Sequence, residues 1–309
     1  MKSNIGSRKT YFGPVTFTHI ILLISLTIIW SSSFVVIKIG VESLSPITLT
    51  TLRLTVGFLA LAFISIIKNI SWPITAKLLS SCFWSALFGC SLPFFLISWG
   101  ETKIESGIAA ILMSIMPLIT LFLSHFFTKG DRLTIQKIIG IALGFAGIII
   151  LVGPGAMTEI GNQLSYQCAI ASAAACYAVN IIIMRNMDQP SILSRSTIIL
   201  GLATLQLAPF SIFVDPISIT TLDPVGLTAI LYLGLLPTAL AMLLFFKLVS
   251  VREPSFVSYV NYILPVFGLG WGAIILDETF SLNAIICLCL ILAGMLVANL
   301  STGGNQNSR

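Results

Sequence analysis

Two pairs of aromatic and polar side chains stand out because they lie in the middle of long apolar segments. Trp30 and Ser33 form the first pair, and Tyr177 and Asn180 form the second, each 147 residues further along the chain. An aromatic ring offers a stacking or cation–π surface, and an asparagine side chain both donates and accepts hydrogen bonds. In apolar surroundings such groups predict a small-molecule pocket, with close packing of helices as the equal alternative.

A further polar cluster lies near the start of another apolar segment, where Asn261 stands between Tyr259 and Tyr262. The two tyrosines are three residues apart and therefore share one face of a helix. The expected substrate-binding residues are thus Trp30, Ser33, Tyr177, Asn180, Tyr259 and Tyr262.

Arg53 is the sharpest ionisable candidate, because a charged side chain inside an apolar segment is costly. It could attract an anionic group such as a carboxylate. Alternatively, it reaches toward the membrane surface or pairs with Glu42 or a helix end, and so braces the fold. We expect this structural role.

The residues that other chemistries need are missing. The sequence contains no P-loop motif, so ATP is not expected to supply energy. The six cysteines lack the spacing of a zinc site, and His19 and His125 lie near segment ends, so we expect no metal, no cofactor and no enzyme active site. No acidic residue lies deep in an apolar segment either, which leaves a proton or sodium ion without an apparent carrier.

The composition places the chain in a lipid bilayer. Of its 309 residues 57% are hydrophobic and 9% are charged, whereas a soluble domain has about 25% charged residues. The apolar runs do not alternate with period two, and lipid requires each backbone amide to be bonded within its own segment, which favours helices. We predict an all-α integral membrane protein with ten transmembrane helices, at about 18–37, 46–67, 78–99, 106–127, 135–152, 165–184, 196–213, 226–247, 255–276 and 282–300.

The basic residues indicate the orientation, because Lys and Arg concentrate on the cytoplasmic side of membrane proteins. With the N-terminus inside, thirteen of the sixteen Lys and Arg residues are cytoplasmic and only Lys38 and Lys103 lie outside. We therefore expect a multi-pass protein of the cell inner (cytoplasmic) membrane with both termini cytoplasmic. The net charge of +5 is then a sign of topology and not of nucleic-acid binding.

The two halves of the sequence repeat one another. Glu105 is followed by Pro117 twelve residues later, and Glu253 is followed by Pro265 at the same spacing. Each half holds five spans, at 18–152 and 165–300, between tails at 1–17 and 301–309. Because five is odd, the second half enters the membrane from the opposite face. Inverted-topology repeats of this kind are typical of secondary transporters.

The acidic residues of the repeat lie near the ends of spans. Glu105 corresponds to Glu253, and Asp131 corresponds to Glu278. We expect these four, together with Arg53, to have structural or charge-pairing roles. Glu278 and Asp131 are each predicted to hold the turn after a span.

An ordered series of short motifs completes the comparison of the halves. They are Trp30-Ser-Ser-Ser-Phe34, Ser45-Pro46 followed by Arg53, Pro117-Leu118, Gly130-Asp131-Arg132-Leu133-Thr134, Leu236-Pro237-Thr238, Tyr262 to Pro265, and Asp277-Glu278 with Gly294. In this series the chain resembles the drug/metabolite transporter superfamily, EamA type, over about residues 20–300, although Asp131 stands where that family usually has Glu. The resemblance implies export or exchange of small metabolites such as amino acids, nucleotide-related compounds or drugs.

The sequence therefore favours a secondary transporter that moves a small molecule across the membrane by alternating access. An intramembrane enzyme and a membrane scaffold without transport are the alternatives, and flux of a labelled substrate separates them from a transporter. The expected partners are the substrate and the lipid bilayer, with a homodimer left open.

Overall fold

The computed structural model describes residues 15–72, 74–128, 133–152, 163–185, 187, 191–214, 223–252 and 254–303. Within these ranges the regular structure is entirely helical, which confirms the predicted fold class. Nine of the described helices are long and apolar enough to cross a membrane, and a tenth apolar helix of 17 residues spans Tyr259–Ile275. We number them α1 to α10 in chain order.

The first half of the bundle runs from α1 to α5. The helices are α1 (Phe17–Ser43), α2 (Pro46–Ile67), α3 (Ala76–Glu101), α4 (Ser106–Phe127, broken at Ser114) and α5 (Ile135–Val152). The second half runs from α6 to α10. Its helices are α6 (Leu164–Arg185), α7 (Ile192–Val214), α8 (Pro224–Val251), α9 (Tyr259–Ile275, after a short turn of helix at Pro254–Val257) and α10 (Leu282–Gly303).

Helix starts follow ordinary capping chemistry. The side chain of Ser45 accepts a hydrogen bond from the amide of Thr48, and Pro46 occupies the first turn, where no amide donor is needed. The side chain of Asp223 accepts from the amide of Gly226 in the same way at the start of α8. These caps fix where the two helices begin.

The main contacts between helices recur when the two halves are exchanged. α1 packs on α9 as α6 packs on α4, and α2 packs on α8 as α7 packs on α3. The contacts of α5 with α10 and of α2 with α7 each join two helices that correspond in the repeat. At the α5–α10 contact the backbones of Gly140 and Gly294 touch, because neither residue has a side chain to keep them apart. The repeat seen in the sequence is therefore a repeat in space.

The same irregularity interrupts α3 and α8. A π-helical turn covers Leu87–Ser91 in α3 and Gly234–Leu240 in α8, and the two begin 147 residues apart, which is the spacing of the repeat. Pro237 lies inside the second turn, where a missing amide donor favours a widened hydrogen-bond register. The hydroxyls of Ser91 and Thr238, also 147 residues apart, donate to carbonyls five residues back. Two equivalent kinks therefore present polar groups inside the bundle.

The ends of several helices differ from the prediction, and those of α1 and α3 matter most for the site. α1 was expected to end at 37 but continues to Ser43, so Lys38 lies within the helix and is half-buried instead of standing in an outer loop. α3 was expected to end at 99 but continues to Glu101, which is 0% exposed. Both charged residues were assigned to loops because of their charge alone.

Candidate functional site

Arg53 lies at the centre of a cluster that both halves build. Its side chain is 3% exposed, and its Nε and Nη2 donate to the hydroxyl of Thr238 in the π turn of α8, at 3.3 and 3.2 Å. The guanidinium carbon lies 4.1 Å from the centre of the Phe94 ring, a cation–π contact with α3. The ring of Tyr177, from α6, lies 6.4 Å from that of Phe94. We call Arg53, Phe94, Tyr177 and Thr238 the Arg53 cluster.

The charge of Arg53 is not neutralised by an acidic side chain in the cluster. Both hydrogen bonds that the structure gives to Arg53 go to Thr238, and Glu42 is exposed at the end of α1. Neither of these hydrogen bonds goes to Glu42 or to a helix end, and the structural role of Arg53 stays a prediction. A planar guanidinium is suited to bind a carboxylate through two parallel hydrogen bonds. Chemically, the cluster offers a buried cation and aromatic surface.

A second polar contact mirrors the first in the other half. The hydroxyl of Ser91, in the π turn of α3, donates to the side-chain oxygen of Gln206 on α7. Thr238 on α8 meets Arg53 on α2 in the equivalent way. The kinked helices therefore each bind a polar side chain of the opposite half, but only one of the two partners is charged.

Trp30 packs against the kink of α8. Its indole nitrogen donates to the carbonyl of Pro237 at 3.3 Å, and its ring lies 5.5 Å from that of Phe245. The hydroxyl of Ser33 donates back to the carbonyl of Trp30 within α1. Trp30 is thus positioned by the same π turn that presents Thr238.

The other two serines of α1 connect it to its neighbours. The hydroxyls of Ser32 and Tyr232 lie 2.7 Å apart, which joins α1 to α8. The indole nitrogen of Trp271 on α9 donates to the hydroxyl of Ser31 at 3.0 Å. Tyr232 and Trp271 were not among the predicted site residues.

Tyr177 and Asn180 face α3 instead of α1. The hydroxyl of Ser85 donates to the side-chain oxygen of Asn180 at 2.7 Å, and the amide group of Asn180 lies against Gly89 in the π turn. Among the described residues, no hydrogen bond or ring contact joins this pair to Trp30 or Ser33. The matched pairs instead contact equivalent kinks, one in each half.

Tyr259 and Tyr262 lie apart from both kinks. Tyr259 is 55% exposed, and its ring lies 6.5 Å from that of Tyr262 at a tilt of 53°. The side-chain amide of Asn299, on α10, donates to the hydroxyl of Tyr262. Tyr262 therefore contacts α10 with Tyr259 beside it, and the role of both tyrosines in binding stays a prediction.

Glu278 joins the two halves at one end of the bundle. Its carboxylate accepts hydrogen bonds from the amides of Ser106 and Gly107, at 2.7 and 3.0 Å, and from the hydroxyl of Ser106 at 3.0 Å. These donors form the first turn of α4, whose positive dipole end favours an anion. The backbone amide of Glu278 also donates to Gly272, which closes the turn between α9 and α10. Asp131, the predicted counterpart of Glu278 in the repeat, and Glu253, the counterpart of Glu105, lie outside the described residues.

Lys38 and Glu105 lie at the same end. The ammonium group of Lys38 donates to the carbonyls of Glu101 and Ile104, at 2.8 and 3.0 Å, and so caps the end of α3. Glu105 stands between α3 and α4 and is partly exposed. Its partial burial raises the pKa of its carboxyl above the usual value, the nearby charge of Glu278 adds to this rise, and Lys38 opposes it. We call Lys38, Glu101, Glu105 and Glu278 the acidic end.

The described residues contain no group of three or more His, Cys, Asp or Glu side chains that could hold a metal ion. The acidic residues at the acidic end therefore do not converge on a common point as metal ligands would. The chemistry that these residues offer is hydrogen bonding, charge and aromatic surface.

Comparison with known proteins places the chain in a family. The EamA-like transporter family matches residues 17–153 and, a second time, residues 164–300. A protein of Archaeoglobus fulgidus described as an "Uncharacterized transporter" is 30% identical over 281 residues, which cover 90% of this chain and 97% of that protein. A "Probable amino-acid metabolite efflux pump" of Escherichia coli is 25% identical over 90% of this chain and 93% of its own length.

The fold also resembles that of a solved crystal structure. The two chains are 19% identical in sequence and superpose with a TM-score of 0.64. The match covers 92% of this chain and 98% of the other. Both matches to the family cover a half of five helices, in agreement with the repeated packing. The chain therefore belongs to the EamA-like transporter family and is a multi-pass membrane protein.

Proposed function

We propose that the chain is a secondary transporter that moves a small metabolite across the cytoplasmic membrane by alternating access, as export or exchange. The observation that carries the proposal is the Arg53 cluster, because α2 and α3 of the first half and α6 and α8 of the second contribute to it. Two halves that share one polar site can open it first to one side and then to the other.

Compounds with a carboxylate, amino acids first, are the proposed substrates. Arg53 offers a buried cation whose described hydrogen bonds all go to a neutral hydroxyl, so a substrate carboxylate would supply the missing negative charge. The relatives in Escherichia coli and Salmonella typhimurium that are called amino-acid metabolite efflux pumps support the same class. Nucleotide-related compounds and cationic drugs belong in the test as the other classes that the family suggests.

The kinks of α3 and α8 would act as the contact surfaces for this substrate. Trp30 and Ser33 at one kink, and Tyr177 and Asn180 at the other, are the proposed contacts beside Arg53. Losing a buried hydrogen bond costs about 1–3 kcal/mol. Trp30→Ala and Asn180→Ala should therefore lower transport strongly while the amount of folded protein in the membrane is retained.

The test is uptake of labelled compounds into liposomes that contain the purified protein, with empty liposomes as the control. We expect saturable uptake of at least one amino acid, and the recovered label should be chemically unchanged. A chemically altered label would support an intramembrane enzyme. An absence of flux for amino acids, purine derivatives and cationic drugs alike would favour a scaffold.

The proposed site has its own test through single cysteines at positions 30, 177 and 180. Labelling by a water-soluble thiol reagent, and protection by added amino acids, are the expected results. If no position is labelled or protected, these residues only pack helices together. For orientation we propose that both termini are cytoplasmic, which would place the acidic end on the outer side.

A further inference from the structure

Glu101 is the one acidic side chain that the described residues bury completely. It is 0% exposed at the last turn of α3, and neither carboxyl oxygen has a hydrogen-bond partner among the described residues. Glu101 lies at the end of its span and not deep within it, but the sequence did not predict its burial. Gly100 brings the end of α3 against Ile170 on α6, so the next residue is drawn inside the bundle.

The charged groups that act on Glu101 come from three other elements. They are Lys38 on α1, Glu278 in the turn before α10 and Arg53 on α2. Lys38 is held beside it, because its ammonium donates to the backbone carbonyl of Glu101 itself. Glu278 is committed to the start of α4. On the α6 side, the ring of Tyr166 packs on that of Trp99, two residues before Glu101.

A buried carboxylate without hydrogen bonds is costly, so its charge must be compensated by a cation or removed by a proton. Lys38 compensates this charge only in part, since its ammonium donates to backbone carbonyls and not to the carboxylate. A metal ion is a poor alternative, because the described acidic residues do not form a ligand group. A proton removes the charge without any further ligand.

We propose that Glu101 is a proton-binding site that couples transport to the proton gradient, which rests on the transport function proposed above. The step is a simple proton transfer: the carboxylate accepts a proton from water on one side of the membrane and later releases it to water on the other. In this conformation the side chain of Glu101 is buried within the acidic end. A proton can exchange with solvent on that side only when this end opens.

A buried polar contact between α2 and α3 lies about one helical turn from both Arg53 and Glu101. The hydroxyls of Thr50 on α2 and Ser98 on α3 lie 3.3 Å apart, and both residues are 0% exposed. Thr50 is three residues before Arg53, and Ser98 is three residues before Glu101, so each pair shares a helix face. The charge on Glu101 and an anion bound at Arg53 therefore influence each other, and by thermodynamic linkage this influence is reciprocal.

Infrared spectroscopy of the protein in liposomes tests proton binding without a substrate. The C=O band of a protonated carboxyl should be present in the wild type and lost in Glu101→Gln. It should persist in the matched control Glu105→Gln, which changes an acid of the same end that is partly exposed. An unchanged band in folded Glu101→Gln would overturn the proposal.

Transport separates the coupling from the proposed function. Labelled amino acids are offered to liposomes either with a pH gradient or with unlabelled amino acids inside as exchange partners. The wild type and Glu105→Gln should respond to both conditions. Glu101→Gln should lose the response to the pH gradient but keep the exchange, and Glu101→Asp, which retains a carboxyl, should recover part of the response.

The outcomes point to different failures. Three results would each overturn the coupling role of Glu101. The first is normal gradient-driven uptake by Glu101→Gln, and the second is loss of exchange together with the gradient response in the folded variant. The third is uptake by the wild type that is driven by sodium instead of protons. If Glu101→Gln does not fold, the Glu101→Asp variant decides: a pH response like that of the wild type or a partial one supports the proposal, and none contradicts it. A wild type that performs neither exchange nor driven uptake refutes the transport function, while the infrared result still decides whether Glu101 binds a proton.

Discussion

Replacing Glu278 with glutamine should destabilise the protein without changing which substrate it selects. The carboxylate accepts three hydrogen bonds from the first turn of α4, one through Oε1 and two through Oε2. Glutamine keeps only one accepting oxygen and carries no charge, so at least one amide or hydroxyl donor at this helix end loses its partner.

The expected loss follows from the contacts at this helix end. Loss of a helix cap costs about 0.5–2 kcal/mol, and loss of a charge near a helix end costs about 0.3–1 kcal/mol. Together they predict a loss of about 1–3 kcal/mol, which is about 5- to 150-fold in the ratio of folded to unfolded protein.

The assay is thermal unfolding in detergent, followed by tryptophan fluorescence, together with the yield of monodisperse protein. Glu105→Gln is the matched control, because Glu105 lies at the same end but its side chain makes no capping hydrogen bond to α4. Glu278→Gln should melt at a lower temperature than this control. A normal melting temperature and yield combined with an altered substrate preference would refute the structural role of Glu278.

Three further predictions concern helix packing, pH and topology. Gly294→Ala should lower the melting temperature because its new methyl group meets the backbone of α5. Gly270→Ala should not, since no atom lies within 4 Å of the position of its new methyl group. Equal effects of the two substitutions would refute the close crossing of α5 and α10. The pKa of the Glu105 carboxyl is higher in the folded protein than in the unfolded chain, so the free energy of unfolding falls as pH rises above about 4.5. Glu105→Gln should therefore be more stable than the wild type at neutral pH and lose that advantage at lower pH. A stability difference that does not change with pH would count against this prediction. Reporter fusions at Ser3 and Asn307 should both report the cytoplasm, and an external signal from either would reverse or break the topology.

The spans were predictable because lipid imposes a simple rule on the sequence. A helix that crosses the bilayer needs about 20 mostly apolar residues, and the ten apolar runs met that length. The rule fails at charged residues near helix ends. Lys38 and Glu101 were assigned to loops by charge, but in the structure Lys38 caps the carbonyls that end α3. Such a contact between distant helices leaves no local sign in the sequence.

The site was predicted in its residue types more than in its contacts. The kinks of α3 and α8 are 147 residues apart, which is the spacing of the repeat, and Pro237 is a visible sign of one of them in the sequence. Trp30 and Tyr177 match in the repeat and were predicted to line a pocket, which would bring α1 next to α6 if they shared it. α1 packs on α8 and α6 packs on α3 instead, so each aromatic residue reaches a kink of the opposite half.

Arg53 shows how tertiary structure decides between alternatives that the sequence leaves open. An arginine in an apolar segment could reach outward or bind inward, and both fit its position in the chain. Its partner Thr238 lies 185 residues away and belongs to a π turn, which the sequence pattern did not predict. Only the packing of α2 on α8 brings the two together.

The central claim is alternating access between two halves, and exchange across the membrane tests it most directly. Liposomes containing the protein are loaded with unlabelled amino acids, and the initial uptake of a labelled amino acid is compared with that into unloaded liposomes. A carrier that must return its site across the membrane is accelerated by a substrate on the far side, so loading should speed uptake, and uptake should saturate. Uptake that rises linearly with concentration and ignores the internal load would contradict alternating access.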